Sequence, residues 1–285
     1  MHVIEAKEIL SAQNGMNLYR GCTHGCIYCD SRSRCYRIDH DFTDVAVKAN
    51  AVTLLETALR RKRNPCVIST GGMSDPYIPI EREIRLTRRS LQVIADYGFG
   101  LTIQSKSAQV LDDLALFREI RERTCCTVQM TITTHDDSLC RIIEPEVSLT
   151  SDRLETLNRL HEVGIPTVVW LSPILPYIND TTENIDAILQ DCAKAGVMGI
   201  VCFGMGVTMR DGNREYFYNR LDAHFPGMKD VYKRHFGYAY MCSSEHEGTL
   251  MRRAEDFCLA HSILFGADDL LARLRQMPER EQRLF

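Results

Sequence analysis

The sequence predicts an α/β fold, a partial (β/α)6 barrel with a mostly helical C-terminal extension. Three observations carry this. Short β-rich runs alternate with amphipathic helical runs through most of the 285 residues. Glycines close several helical runs, as expected where a left-handed residue ends a helix. Six strand–helix units are complete by about residue 204, short of the eight that a full barrel builds in roughly 250 residues.

A first strand is expected around "GMNLYR" (15–20), and "PCVIST" (65–70) reads as a buried second strand. "EIRLTRRSLQVIADYG" sets Ile84, Leu91 and Ile94 near one helical face and stops at Gly98. "FGLTIQS" (99–105) is the third strand, followed by the helix "SAQVLDDLALFREIRER". "CTVQMTITT" (126–134) is the fourth, and "LTSDRLETLNRLHEVG" is a helix with a Thr or Ser N-cap that ends on Gly164. "IPTVVWLSP", the helix "TTENIDAILQDCAKAG" and "VMGIVCFGMG" complete the units. Repeated βα units imply a parallel sheet, open or curled into a partial barrel. The expected organisation is a core over residues 1–205, with residues 206–285 as a helical extension packed on it.

Composition narrows the function classes. A net charge of -4 does not announce a nucleic-acid binder, although a local basic face is compatible with it. No apolar run approaches the eighteen residues of a membrane span, and the first residues show no basic-then-apolar leader. Twelve cysteines in a chain with 45% hydrophobic residues read as reduced thiols rather than a disulfide framework. A cytoplasmic location without membrane contact is expected.

Four cysteines fall within "YRGCTHGCIYCDSRSRC" (19–35), three of them spaced Cys22-x3-Cys26-x2-Cys29. They follow the first strand, at the carboxyl end of a parallel sheet, where active sites sit. Three thiolates this close need a positive partner. A structural zinc takes four ligands, commonly from paired CxxC units. Cys35 or His24 would complete such a set, but the chain has no second CxxC pair. Cubane iron–sulfur clusters usually take four cysteines, so three would leave one iron open. Zinc and a cluster both remain compatible with the residues, as does a non-catalytic protein carrying either.

This spacing, with the aromatic Tyr28 before the last cysteine, resembles the signature of the radical S-adenosylmethionine (SAM) superfamily. The chain is similar to the spore photoproduct lyase-like branch, whose members are often labelled DNA repair photolyases. The matching stretches are "NLYRGCTHGCIYC" (17–29), "GGMSDPYIPIEREIRLTRRSL" (71–91), "SKS" (105–107), "IIEPEVSLTSDRLETLNRLHEVGIPTVVWLSPILPYIND" (142–180) and "AGVMGIVCFGM" (195–205). They cover roughly residues 14–205. The resemblance implies a [4Fe–4S] cluster on Cys22, Cys26 and Cys29 whose open iron chelates SAM. Reductive cleavage of SAM would give a 5′-deoxyadenosyl radical that takes hydrogen from an unidentified substrate. A reductant such as flavodoxin or ferredoxin is implied. DNA or RNA repair or modification by the same chemistry is the alternative within the branch.

The resemblance also implies site residues. Tyr28 belongs to the cofactor-binding motif. Gly71, Gly72, Ser74 and Asp75 form the edge that meets the methionine amino group, and Lys106 meets its carboxylate. Thr131 and Thr133 stand where a polar residue meets the ribose. Ser172, Pro173, Phe203 and Gly204 stand where the adenine pocket is walled. His24 is either a hydrogen-bond donor to the cluster or a solvent-facing loop residue. The other cysteines read as small hydrophobes, and the basic runs 60–64 and 85–89 as solvated helix surface. The lyase's hydrogen-returning cysteine aligns on Gly72, and the residue after Cys29 is Asp30 rather than tyrosine. Spore photoproduct repair is therefore not expected. Cys242, beside Tyr238 and Tyr240, is the candidate substitute hydrogen donor.

Overall fold

The computed structural model describes residues 1–278. Its centre is an all-parallel, seven-stranded sheet. In spatial order the strands are Gly15–Met16, Val67–Thr70, Gly100–Ser105, Cys126–Thr131, Thr167–Trp170, Gly199–Val201 and Leu264–Phe265. Spatial order equals chain order. With right-handed crossovers, such an order keeps the connecting helices on one face and curls the sheet around the other. The fold is the expected partial barrel, with one strand more than the six counted in the sequence.

Strand alternation sorts the side chains. Leu101, Ile103, Val128, Met130, Val169 and Ile200 are buried in the main core, against the helices Leu86–Asp96, Leu114–Arg123, Thr150–Glu162 and Thr182–Lys194. The intervening positions face inward: Thr102, Gln104, Gln129 and Thr131 on the middle strands are polar, and Val168 and Val201 nearer the far edge are apolar. Trp170 Nε1 donates to Gln129 Oε1 at 2.7 Å, and Gln129 Nε2 donates to Thr102 Oγ1 at 2.7 Å. Leu270 and Leu274, on the helix Asp268–Leu274, pack against Val168 and Val201.

Several elements depart from the sequence reading. "GMNLYR" splits: Gly15–Met16 joins the main sheet, while Tyr19–Arg20 pairs antiparallel with Ala46–Lys48 in a separate three-stranded sheet. The expected helix from Ser107 begins as a 3-10 segment over Ala108–Asp113 and becomes α-helical at Leu114. The helix Thr150–Glu162 has Leu149, not Thr150 or Ser151, at its N-cap position, and the Asp152 carboxylate accepts from Leu149 N at 3.3 Å. Thr150 is instead buried, its hydroxyl donating to the Thr134 carbonyl at 2.8 Å. "VMGIVCFGMG" yields the short strand Gly199–Val201. Gly206–Thr208 then leaves the main sheet to pair antiparallel with Met241–Ser243. Helices Asn213–His224 and Met228–Phe236 pack beside Ile27 and Tyr28 in a second core. Among the described residues, no helix is long and apolar enough to cross a membrane.

Candidate active site

The cysteine loop is pinned on two sides. Cys22 N donates to the Phe42 carbonyl at 2.9 Å, and Gly21 holds φ +89° where a Cβ would lie 2.4 Å from that oxygen. From the other side, Ile27 N donates to the Ile143 carbonyl at 2.9 Å, and Glu146 N to the His24 carbonyl at 3.1 Å. Cys29 N closes a turn onto the Cys26 carbonyl. The three thiols face one cavity of about 470 Å³ at the carboxyl ends of the strands.

The edge after the second strand is built from backbone strain and one carboxylate. Gly71 has φ +98°, and a Cβ there would lie 2.0 Å from the Gln104 carbonyl oxygen. Gly72 has open space around its missing Cβ. Gly71→Ala should therefore destabilise the protein by at least about 2 kcal/mol, and Gly72→Ala should leave its melting temperature near wild type. Equal melting temperatures in a calorimetric comparison would contradict this account of the edge.

Asp75 ties that edge to the third strand. Its Oδ1 accepts from Tyr77 N and Ser105 Oγ, each at 2.8 Å, and its Oδ2 accepts from Lys106 N at 2.7 Å. His24 Nδ1 lies 3.4 Å from the same Oδ2. His24 is buried at 3% exposure, so the solvent-facing reading fails. Burial pushes the His24 imidazole pKa down, against the pull of Asp75, and the ring is neutral at neutral pH.

Other expected residues divide. Tyr28, Gly71, Gly72, Asp75, Lys106, Thr131, Ser172, Pro173, Phe203 and Gly204 all line the cavity. Ser74 does not: it is buried and donates to the Tyr19 carbonyl at 3.2 Å, so it holds the loop. Thr133 does not either. Its strand stops at Thr131, and its buried side chain sits beyond the lining, with its carbonyl taken by Asn179 and Asn184. Cys242 is also misplaced by the sequence reading. Its neighbours Tyr240 and Met241 line the cavity, but its own side chain turns into the second core and is fully buried. Cys35 is exposed and outside the lining, 3.3 Å from Arg210 Nη1.

Sequence reasoning missed the contribution of the later chain. Arg210 reaches the mouth of the cavity, where its Nη2 donates to Tyr240 Oη at 2.9 Å and its Nε lies 3.5 Å from Asp30. Trp170, beside Phe203 at 5.6 Å between ring centroids, forms an aromatic wall. Phe203 is 54% exposed, which makes it a wall residue, as expected, rather than a core one.

The donor set suits a multi-iron cluster better than a single ion. Burial pushes the Cys22 thiol up to about 12, and the Cys26 thiol well above its ordinary value. Buried thiols of this kind ionise readily only against a cationic guest. Sulfurs around one zinc would lie about 3.8 Å apart, given Zn–S bonds of about 2.3 Å in a tetrahedron. Among the described residues, no three cysteines bring their sulfurs within 4.8 Å of one another. Lys106 adds a cation on the same wall. Burial pushes its ammonium down, but the acidic groups around it, Cys26 when ionised and the Glu144 and Asp75 carboxylates, hold it above its ordinary value.

Comparison with known proteins agrees with this geometry. The family model described as the radical SAM superfamily matches residues 16–192. An uncharacterized protein of Mycobacterium tuberculosis is 29% identical over 226 residues, covering 76% of this chain. The chain spans 65% of the length of that relative. An uncharacterized protein of Methanocaldococcus jannaschii is 33% identical over 179 residues, 62% of this chain and 66% of that protein. Among solved structures, a spore photoproduct lyase mutant superposes with a TM-score of 0.67 at 13% identity, covering 93% of this chain and 80% of that one. A second, solved with bound AdoMet and dinucleoside spore photoproduct, gives 0.61 at 13% identity, covering 88% and 74%. Likeness at such identity speaks for the fold. The family match spans more than half the chain and includes all three clustered cysteines, so this protein belongs to the radical SAM superfamily, whose members use a [4Fe–4S] cluster and SAM.

Proposed function

We propose that Cys22, Cys26 and Cys29 hold the cluster and that SAM occupies the adjoining cavity, for hydrogen abstraction from a substrate other than the spore photoproduct. The observation that carries this is the convergence of three thiols, the strained Gly71 edge and the Lys106 cation on one cavity. When bound and reduced, the cluster supplies the electron that cleaves SAM to a 5′-deoxyadenosyl radical. The chain's own residues do the rest. Lys106, half-buried on the cavity wall, meets the methionine carboxylate as a charge-assisted donor. The Gly71–Gly72 carbonyls accept from the methionine amino group, which the missing side chains allow to approach. Thr131 stands for the ribose, and Ser172, Pro173, Phe203 and Gly204 for the adenine. Asp75 acts at one remove, since its oxygens are already occupied in fixing Lys106 and the edge.

Substrate enters from the side of Trp170, Phe203, Arg210 and Tyr240, which form a wall both aromatic and cationic. The space at Gly72 would admit a cysteine, but this chain places none there. A product radical therefore lacks a thiol donor on that edge. Anaerobic incubation with SAM, dithionite and dinucleotide photoproduct tests the reading by chromatography. 5′-Deoxyadenosine should form, without multiple-turnover conversion of the photoproduct. Clean conversion would contradict the substrate reading, and no 5′-deoxyadenosine at all would contradict the site assignment.

A further inference from the structure

Behind the cysteine loop lies an ionic network that the chemistry above does not use. Arg153, on the helix Thr150–Glu162, is fully buried. Its Nη2 donates to Glu144 Oε2 at 2.5 Å, and its Nη1 donates to the Thr131 carbonyl at 2.6 Å. Tyr28 Oη donates to Glu144 Oε1. Neither side chain of the ion pair has any exposed area. Such a pair is weak evidence of stabilisation, because apolar residues of equal volume often serve as well or better. Its location suggests another reason. Tyr28 lies between Cys26 and Cys29, and residues 143–146 carry the backbone bonds that hold His24 and Ile27. Lys106 Nζ lies 6.0 Å from the Tyr28 ring centroid.

We propose that Glu144 and Arg153 are positioning residues for the cluster, which fix the Cys26–Cys29 turn through Tyr28 and lower the cluster's midpoint potential through the Glu144 charge. The inference rests on the assignment of Cys22, Cys26 and Cys29 as ligands. Reduction by dithionite adds one electron, and so one negative charge, to the cluster. A fixed carboxylate in a wall of low dielectric disfavours that added charge. Arg153 offsets part of the effect and keeps the carboxylate ionised. Burial pushes the Glu144 carboxyl up, but Arg153 and Lys106 outweigh it and hold it below its ordinary range.

The test is an anaerobic redox titration of the reconstituted full chain, followed by electron paramagnetic resonance, without SAM. Glu144→Gln keeps the size and removes the charge; its one carbonyl oxygen can still accept from Arg153, and its amide NH2 can donate to the Tyr28 hydroxyl, which also accepts. It should raise the reduced-to-oxidised ratio at the wild-type midpoint about tenfold, a positive shift of about 59 mV for a one-electron couple. Glu144→Asp keeps the charge and should stay within about twofold of wild type on the same scale. A fully iron-loaded Glu144→Gln protein whose ratio moves less than twofold overturns the proposal. Where Glu144→Gln takes up no iron, Glu144→Asp decides. A loaded protein at the wild-type potential upholds the role of the charge, and loss of iron there as well shows a merely structural support and overturns it. Wild-type protein that takes up no cluster overturns this proposal and the ligand assignment together.

Discussion

Cys26→Ser is expected to abolish the cluster and with it the cleavage of SAM. Cys26 is buried at the centre of the pinned loop, between Gly25, packed against Pro145, and Ile27, bonded to Ile143. A serine hydroxyl there is a poor ligand for iron, and the loop is too constrained for a neighbour to replace it. Cys35, the nearest alternative in sequence, is exposed and engaged with Arg210 outside the cavity. Anaerobic reconstitution should give about four irons per wild-type chain, as for a single cubane. The variant should lose most of that iron, and 5′-deoxyadenosine formation should fall by more than the roughly hundredfold that losing a supporting residue costs at metal sites. The apoprotein's melting temperature should change little, because a buried hydroxyl and a buried thiol differ modestly in size. A variant that retains full iron and activity would remove Cys26 from the ligand set.

Lys106→Met is expected to separate cluster loading from cofactor binding. Asp75 fixes the Lys106 backbone through its N–H, and the Glu144 charge favours the protonated ammonium on the cavity wall. Methionine preserves most of the side-chain volume and removes the charge. Truncating one partner of a buried, charge-assisted pair costs about 2–5 kcal/mol of binding. The SAM dissociation constant of the cluster-loaded protein should therefore rise at least about thirtyfold, since each 1.4 kcal/mol is tenfold. Iron content should remain at the wild-type level. Anaerobic equilibrium dialysis checks the first expectation and an iron assay the second. Unchanged SAM affinity would move the carboxylate contact elsewhere, with Arg210 the next cation on the lining.

The legible and illegible parts of the site differ in physical kind. The cysteine spacing and the Gly71–Gly72 pair are local, so they were readable before any fold was known. The strand order was readable because each βα unit shows its own periodicity. The two-residue strand Leu264–Phe265 carries no such pattern, and it is specified by its neighbour Gly199–Val201. "GMNLYR" looks continuous, yet its two ends pair with different sheets, and pairing partners are not written in one strand's alternation. Thr133 and Cys242 failed for a related reason. Each sits within a few residues of a lining position, and a strand that ends one pair earlier, or an alternation read on the wrong face, turns a side chain from the cavity into the core. Glu144 and Arg153 were hidden most thoroughly. In an amphipathic helix an arginine reads as solvent-facing, and only the packed structure shows both charges without exposed area.

The central claim is that Cys22, Cys26 and Cys29 carry a SAM-binding cluster at the strand ends. Anomalous scattering from anaerobically reconstituted crystals grown with SAM tests it most directly, with data taken at the iron and zinc edges. The account predicts iron density bonded at about 2.3 Å, an ordinary metal–thiolate length, to these three sulfurs, with the SAM carboxylate turned toward Lys106. A single zinc peak at these cysteines, or iron held by any other cysteines of the chain, would contradict it.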